Sequence, residues 1–181
     1  MGAEEKRFIE NAHEGEDINA VSFGSDGLRL LSASDRSLRL WNLNTDPPTL
    51  LREFPKAQDT LMWASLSRDD QRVAGVGRDQ LVNIYAALDG QVQHGLVGHE
   101  NAVFKAIFSP DSQQVATVSG DATVRVWDLS NGKELFCLRL PMNQQDDLWD
   151  FDFRITPRGK CLIAVPLTRG KLVVYELGYG E

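Results

Sequence analysis

Cysteine is nearly absent from the 181 residues. Cys137 and Cys161 are too few for a disulfide framework and lack the paired spacing of a zinc site. Each lies inside an apolar stretch, LFCLRL and KCLIAV, so both read as small buried hydrophobes in a reduced, cytoplasmic protein. Basic charge is also in short supply. Lys and Arg number 19 against 26 Asp and Glu, a net charge of -7, which argues against a general binder of nucleic acid or of an anionic membrane. No apolar run approaches the roughly 20 residues that cross a bilayer, and the opening MGAEEKRFIENAHEGED has no apolar segment of signal-peptide kind. Motifs for chemistry are missing too: GxSxG, HExxH, paired CxxC, an EF-hand loop and a Gly-rich phosphate loop do not occur. The expectation is a protein without catalysis, metal or cofactor.

What is present is a folded composition, 42% hydrophobic, without an apolar 3.6-residue stripe long enough for a helix. Three segments align by eye: LLSASDRSLRLWNL (30–43), VAGVGRDQLVNIYAAL (73–88) and VATVSGDATVRVWDLS (115–130). LIAVPLTRGKLVVYEL (162–177) is a weaker fourth. Asp precedes an aromatic by six residues three times, at Asp35–Trp41, Asp79–Tyr85 and Asp121–Trp127, while Arg169 takes the Asp place before Tyr175. These aromatics are 44, 42 and 48 residues apart. Each repeat reads as four short strands; in the third, AVFKAIF, VATVS, TVRVWDL and ELFCLRL are divided by turn sequences such as SPDSQ and SNGK. An all-β chain with this period selects a β-propeller.

The segment GHENAVFKAIFSPDSQQVATVSGDATVRVWDLSNGKEL (98–135) resembles a repeat of the WD-repeat β-propeller family, with Gly98-His99, the SPD turn, Asp121 and Trp127-Asp128. The first repeat is similar, with His13, Asp35 and Trp41, but has one residue fewer between its second strand and Asp35. The second and fourth are degenerate, ending in Tyr85-Ala86 and Tyr175-Glu176. The resemblance implies a buried network in which a loop His bonds the turn Asp and continues through a Ser or Thr to the Trp indole. The candidates are His13, Asp35 and Trp41, then His99, Thr117 or Ser119, Asp121 and Trp127; His and Asp are 22 residues apart in both sets. That double occurrence marks a framework and argues against a hydrolase. His94 reads as a solvated edge residue on a fourth strand.

Four blades are expected, at about 18–54, 60–96, 102–140 and 148–177, the last completed by a strand at 6–11 (KRFIEN). Family members commonly have seven or eight blades, so four make about half a ring, with apolar faces open at blades 1 and 4. Three solutions stand: a homodimer closing an eight-bladed ring, a piece of a longer propeller, or a four-bladed monomer.

Function then belongs to exposed surface. The resemblance implies protein or peptide binding on the loop face and channel mouth, where Glu14, Glu16, Asp17, Asp59, Glu100, Asn101, Asp146 and Asp147 suggest a basic partner. Trp63 and Trp149 fall outside the strand-end positions. Trp149 is the better surface candidate, and packing between blades is the plainer role for both. The alternative is a regulatory or sensing propeller module of a larger multidomain protein, such as a bacterial effector.

Overall fold

The computed structural model describes residues 8–141, 150–156, 160–167 and 171–178. Strands make up all the regular structure described, in four antiparallel sheets. Blade 1 holds β1 (Ala20–Phe23), β2 (Arg29–Ala33), β3 (Leu38–Asn42) and β4 (Thr49–Glu53). Blade 2 holds β5 (Leu61–Leu66), β6 (Arg72–Gly77), β7 (Val82–Ala86) and β8 (Val92–Leu96). Blade 3 holds β9 (Val103–Phe108), β10 (Gln114–Ser119), β11 (Thr123–Asp128) and β12 (Lys133–Arg139). Blade 4 holds β13 (Asp152–Ile155), β14 (Cys161–Leu167) and β15 (Lys171–Leu177). The first strands converge: Phe23, Ser65, Ile107 and Phe153, one from each blade, line a single cavity of about 600 Å³. This is propeller architecture.

Burial explains the pattern of each strand. Val115 to Ser119 of β10 are all buried, because a central strand is covered by blades on both faces. The outer strand β12 alternates, with Phe136 and Leu138 packed against the next blade and Cys137 facing out. Cys137 is therefore exposed, contrary to the expectation that both cysteines are buried; Cys161, on a central strand, is buried, and its burial pushes the thiol up to about 11. In each four-stranded blade the pairing of third and fourth strands shifts at the strand-end aromatic, between Leu40 and Trp41, Ile84 and Tyr85, and Val126 and Trp127.

The core is three layers, one at each blade junction. Leu31, Ala33, Leu38 and Leu40 meet Leu61, Ala64, Val73 and Tyr85. Ala74, Val76, Val82 and Ile84 meet Val103, Ala106, Val115 and Trp127. Ala116, Val118, Val124 and Val126 meet Phe153, Cys161, Ile163 and Val165. Polar clasps reinforce the rim. Arg29 reaches Asp70 from blade 1, and Arg72 donates to the Ser112 carbonyl oxygen at 3.2 Å from blade 2. His94 on β8 bonds the Leu129 carbonyl oxygen at 2.9 Å, so it pins blade 2 to blade 3 and is half-buried instead of solvated.

Two further positions differ from the sequence reading. Phe8 and Ile9 have no regular structure and residues 10–15 form turns, so 8–11 is not a strand in the chain by itself, while 6 and 7 lie outside the described residues. The cause is local: Asn11, Glu14 and Gly15 all have positive φ, and Ala12 and His13 are drawn into blade 1. The second difference is in blade 4. Trp41, Tyr85 and Trp127 sit opposite Leu30, Val73 and Val115, each of which faces the last residue of the first strand; Leu177 holds that place opposite Cys161. Tyr175 pairs two positions further along, with Ile163, because β14 and β15 are longer than their counterparts.

Candidate interaction face and its buried supports

The loops before the first strands and the turns between second and third strands share one face, and buried side chains tie them together. In blade 3, His99 Nδ1 lies 3.0 Å from Asp121 Oδ2 and Nε2 lies 2.8 Å from Thr117 Oγ1, which also accepts the Trp127 indole N–H at 3.0 Å. Asp121 additionally accepts from the Thr123 hydroxyl at 2.6 Å and from the Glu100 amide at 3.0 Å. Burial works against this carboxylate's charge, but the Thr123, Glu100 and His99 bonds prevail and hold its pKa at about 2. Burial holds His99 below the ordinary imidazole value, opposed by Asp121. Ser119 plays a separate part, donating to the Asn101 carbonyl oxygen at 2.9 Å and accepting from the Asp121 amide.

Blade 1 has the same network with a different end. Trp41 donates to Ser32 Oγ at 2.8 Å, and His13 Nε2 lies 2.7 Å from the same oxygen. His13 Nδ1 meets Ser37 Oγ at 2.5 Å, not Asp35. Ser37 Oγ is 2.8 Å from Ser34 Oγ, which donates to Glu16 Oε2 at 2.5 Å. The missing residue before Asp35 is the reason. The turn is a tight one, closed by Ser34 N–H to Ser37 carbonyl, and it leaves Asp35 and Arg36 exposed at its tip. Among the described residues, the Asp35 carboxylate accepts a long bond from Asn19 Nδ2, at 3.4 Å. Glu16 closes the network in its stead.

In blade 2 the network is deleted as a set. Positions equivalent to His99, Thr117 and Trp127 hold Ala57, Gly75 and Tyr85, and Phe54 packs on Tyr85 with ring centroids 5.4 Å apart. Replacing several partners together by apolar groups avoids stranded donors. Asp79 remains; burial raises its carboxyl above the ordinary value, and one of its oxygens has no partner.

Two arginines escaped the sequence reading. Arg39 donates to the Ala12 carbonyl oxygen at 2.6 Å and to Glu14 and Glu53, tying the first loop to β4. Arg125 pairs with Glu134 in the same place of blade 3 and packs against Gly98. A Cβ on Gly98 would stand 2.9 Å from Arg125 Nη1, a mobile side-chain end, and 3.0 Å from Cη2 of the buried Trp127 ring, and the close ring favours glycine at this place of the Gly-His pair. The signal was available: Arg stands two residues before Trp in both LRLW and VRVW.

The charged candidates divide into groups. Glu14 is exposed but held by Arg39, whose hydrogen bond and charge keep its carboxyl below the ordinary value. Glu16 belongs to the blade 1 network. Asp17, Asp59, Glu100 and Asn101 are exposed on the loop face, Asp59 and Asn101 each accepting the next residue's amide at 2.7 Å. Asp146, Asp147 and Trp149 lie outside the described residues. Trp63 is half-buried against the core between blades 2 and 3, with the Lys105 ammonium 5.1 Å from its ring centroid. Lys105 also reaches Asp150 Oδ1 at 2.5 Å and the Phe151 carbonyl oxygen, so it links three blades. Among the described residues no three His, Cys, Asp or Glu side chains gather as a metal site.

A family model described as "WD domain, G-beta repeat" matches residues 5–42 and 90–128, the two stretches that carry these networks. The chain belongs to the WD-repeat family. WD-repeat relatives include human apoptotic protease-activating factor 1, 30% identical over 141 residues, covering 75% of this chain and 11% of that protein. Autophagy-related protein 16 of Arabidopsis thaliana is 32% identical over 126 residues, covering 67% and 24% respectively. Mouse striatin-4 is 24% identical over 188 residues, covering 91% and 24%. The chain thus spans only a small part of the curated WD-repeat relatives it matches. Among solved structures, the computationally designed Ika4 protein superposes with a TM-score of 0.77 at 22% identity, covering 98% of this chain and all of that one. U3-55K superposes with a TM-score of 0.71 at 20% identity, over 89% of this chain and 52% of its own. WD-repeat propellers are in general non-catalytic platforms for other proteins; here the His–hydroxyl–Trp sets join loop and strands within blades 1 and 3.

Proposed function

We propose that this chain is a non-catalytic β-propeller scaffold that binds a basic protein or peptide segment on its loop face and channel mouth, in a reduced, cytoplasmic setting, and that a second copy completes its ring. One observation carries the reading. The loops of blades 1 and 3 are pinned from beneath by closed networks, at His13–Ser37–Ser34–Glu16 and His99–Asp121, which leaves Asp17 and Glu100 exposed on a rigid platform with Asp59 beside them. Preorganised carboxylates favour a cationic partner because little ordering remains to be done on binding. The unpaired thiols of Cys137 and Cys161 agree with a reducing setting.

Fluorescence polarisation with labelled Lys/Arg-rich, Glu-rich and neutral peptides of one length tests the reading. The basic peptide should bind best, weaken with salt, and lose on the order of tenfold affinity or more when Asp17, Asp59 and Glu100 are all changed to Lys. Equal binding of the three peptides overturns it. The alternative of a regulatory or sensing module within a longer protein draws support from the small share of each relative that is matched. The mass of the protein in its source separates the two.

A further inference from the structure

The completion of the ring by a second copy, on which this inference rests, leaves open how two copies meet. We infer that they meet head to tail: the open face of blade 1 in each copy packs on the open face of blade 4 in the other, repeating the internal blade junctions.

Those junctions define what each face requires. At the second one, Val103, Val115, Trp127 and Leu129 of blade 3 are covered by the preceding blade. The same positions in blade 1 are Ile18, Leu30, Trp41 and Leu43, and with Val21 and Phe23 they line an open cavity of about 760 Å³. Val21 is 57% exposed and Phe23 66%, whereas Ala64 and Ala106, at the place of Val21, are 1% and 0% exposed. The face that covers such a surface is the one blade 2 presents through Ala74, Val76, Val82 and Ile84. Blade 4 presents its counterpart through Leu162, Ala164 and Val174. Glu176, paired to Lys160, stands at the place of Ile84, and Leu172 lies one step further along the same face. Leu172 and Val174 are 67% and 59% exposed. Among the described residues, one chain thus carries an open socket, edged by Phe8 and Ile9, and a largely apolar plug at opposite ends. A two-fold pair satisfies both sockets at once, and each apolar face leaves water.

The rim supports the same direction. Asp70 and Ser112, with φ of 56° and 59°, offer their carbonyl oxygens to Arg29 and Arg72 of the preceding blade, at 3.4 and 3.2 Å. Gly27, with φ 68°, is the same turn position in blade 1; its amide bonds the Gly24 carbonyl as Asp70 bonds Ser67 and Ser112 bonds Ser109. Lys160 of blade 4 stands where Arg29 and Arg72 stand, since its carbonyl accepts from Thr156 as theirs accept from Gly24 and Ser67. This clasp has its acceptor turn at one end of the chain and its cation at the other, where Lys160 pairs with Glu176 of its own blade.

Sedimentation equilibrium of the 181-residue chain tests this. At micromolar concentration it should have twice the mass of one chain. Val21→Glu and Val174→Glu should each raise the dissociation constant on the order of 100-fold, because a charge would be buried unpaired at the junction. Neither should change the circular dichroism of the separated chains, since both side chains are more than half exposed there. Gly27→Asp should tighten the pair several-fold by copying the Asp70 clasp, and Lys160→Ala should cancel that gain. A dimer indifferent to both Glu substitutions overturns the head-to-tail contact and leaves the two-copy reading standing. A monomer, or open chains of three or more copies, overturns both. A natural chain whose further blades cover these faces overturns the second copy as occupant.

Discussion

Ser37 Oγ lies 2.5 Å from His13 Nδ1, in the place that Asp121 Oδ2 takes beside His99 at 3.0 Å. The two blades satisfy the same imidazole by different chemistry, because a turn shorter by one residue carries Asp35 out to solvent. Asp35→Ala should therefore shift stability by no more than about 0.5 kcal/mol, whereas Asp121→Ala should cost about 2–4 kcal/mol by stranding buried donors. Thermal melts of the two variants side by side check this; equal effects would restore Asp35 to the network.

Acid should loosen the loop face. Burial depresses the His13 and His99 pKa values, so the unfolded chain takes up protons first as pH falls below the imidazole range. The stability these neutral histidines contribute is complete above the unfolded value near 6.5 and is lost as pH falls toward their folded values. Asp121, near 2 when folded, contributes about 2 kcal/mol above its unfolded value, lost only as pH falls from near 4 toward 2. The melting temperature should fall from pH 7 to pH 5, and His13→Gln with His99→Gln should flatten that slope.

Gly77 ends β6 where the β5 bulge brings the Thr60 carbonyl oxygen to 2.0 Å from any added Cβ. Gly77→Ala should cost about 3 kcal/mol or more, since backbone must move. At Gly75 the nearest atoms are side chains at 3.4–3.6 Å, so Gly75→Ala should cost less than about 1 kcal/mol. Denaturant melts should separate the two variants clearly.

Asp70 joins blades 1 and 2, accepting from the Ser25 hydroxyl at 2.5 Å and from Arg29 Nη2 at 2.9 Å. Its carboxylate is 5% exposed and that of Asp26, also paired with Arg29, is 35%. A double-mutant cycle should give about 1–2 kcal/mol of coupling for Asp70–Arg29 and about 0.5 kcal/mol or less for Asp26–Arg29, because water screens the exposed pair.

Local pattern and tertiary contact divided the information in this protein. The strands, the period near 44 residues, and the pairing of His99 with Trp127 through a hydroxyl were legible, because alternation and repeated spacing are properties of the chain itself, while Thr117 in place of Ser119 as that hydroxyl was decided by packing. Glu16 as the end of the blade 1 network was not legible, since one residue less in a turn changes which side chain points inward. Nor was Leu177 at the strand-end position, which depends on strand pairing, or the inter-blade bond of His94, which needs the neighbouring blade in place. The sequence by itself determined that blades form and how many. Only the tertiary structure decided which groups satisfy one another between them, because a buried donor takes the acceptor that packing brings within reach, whatever its distance along the chain.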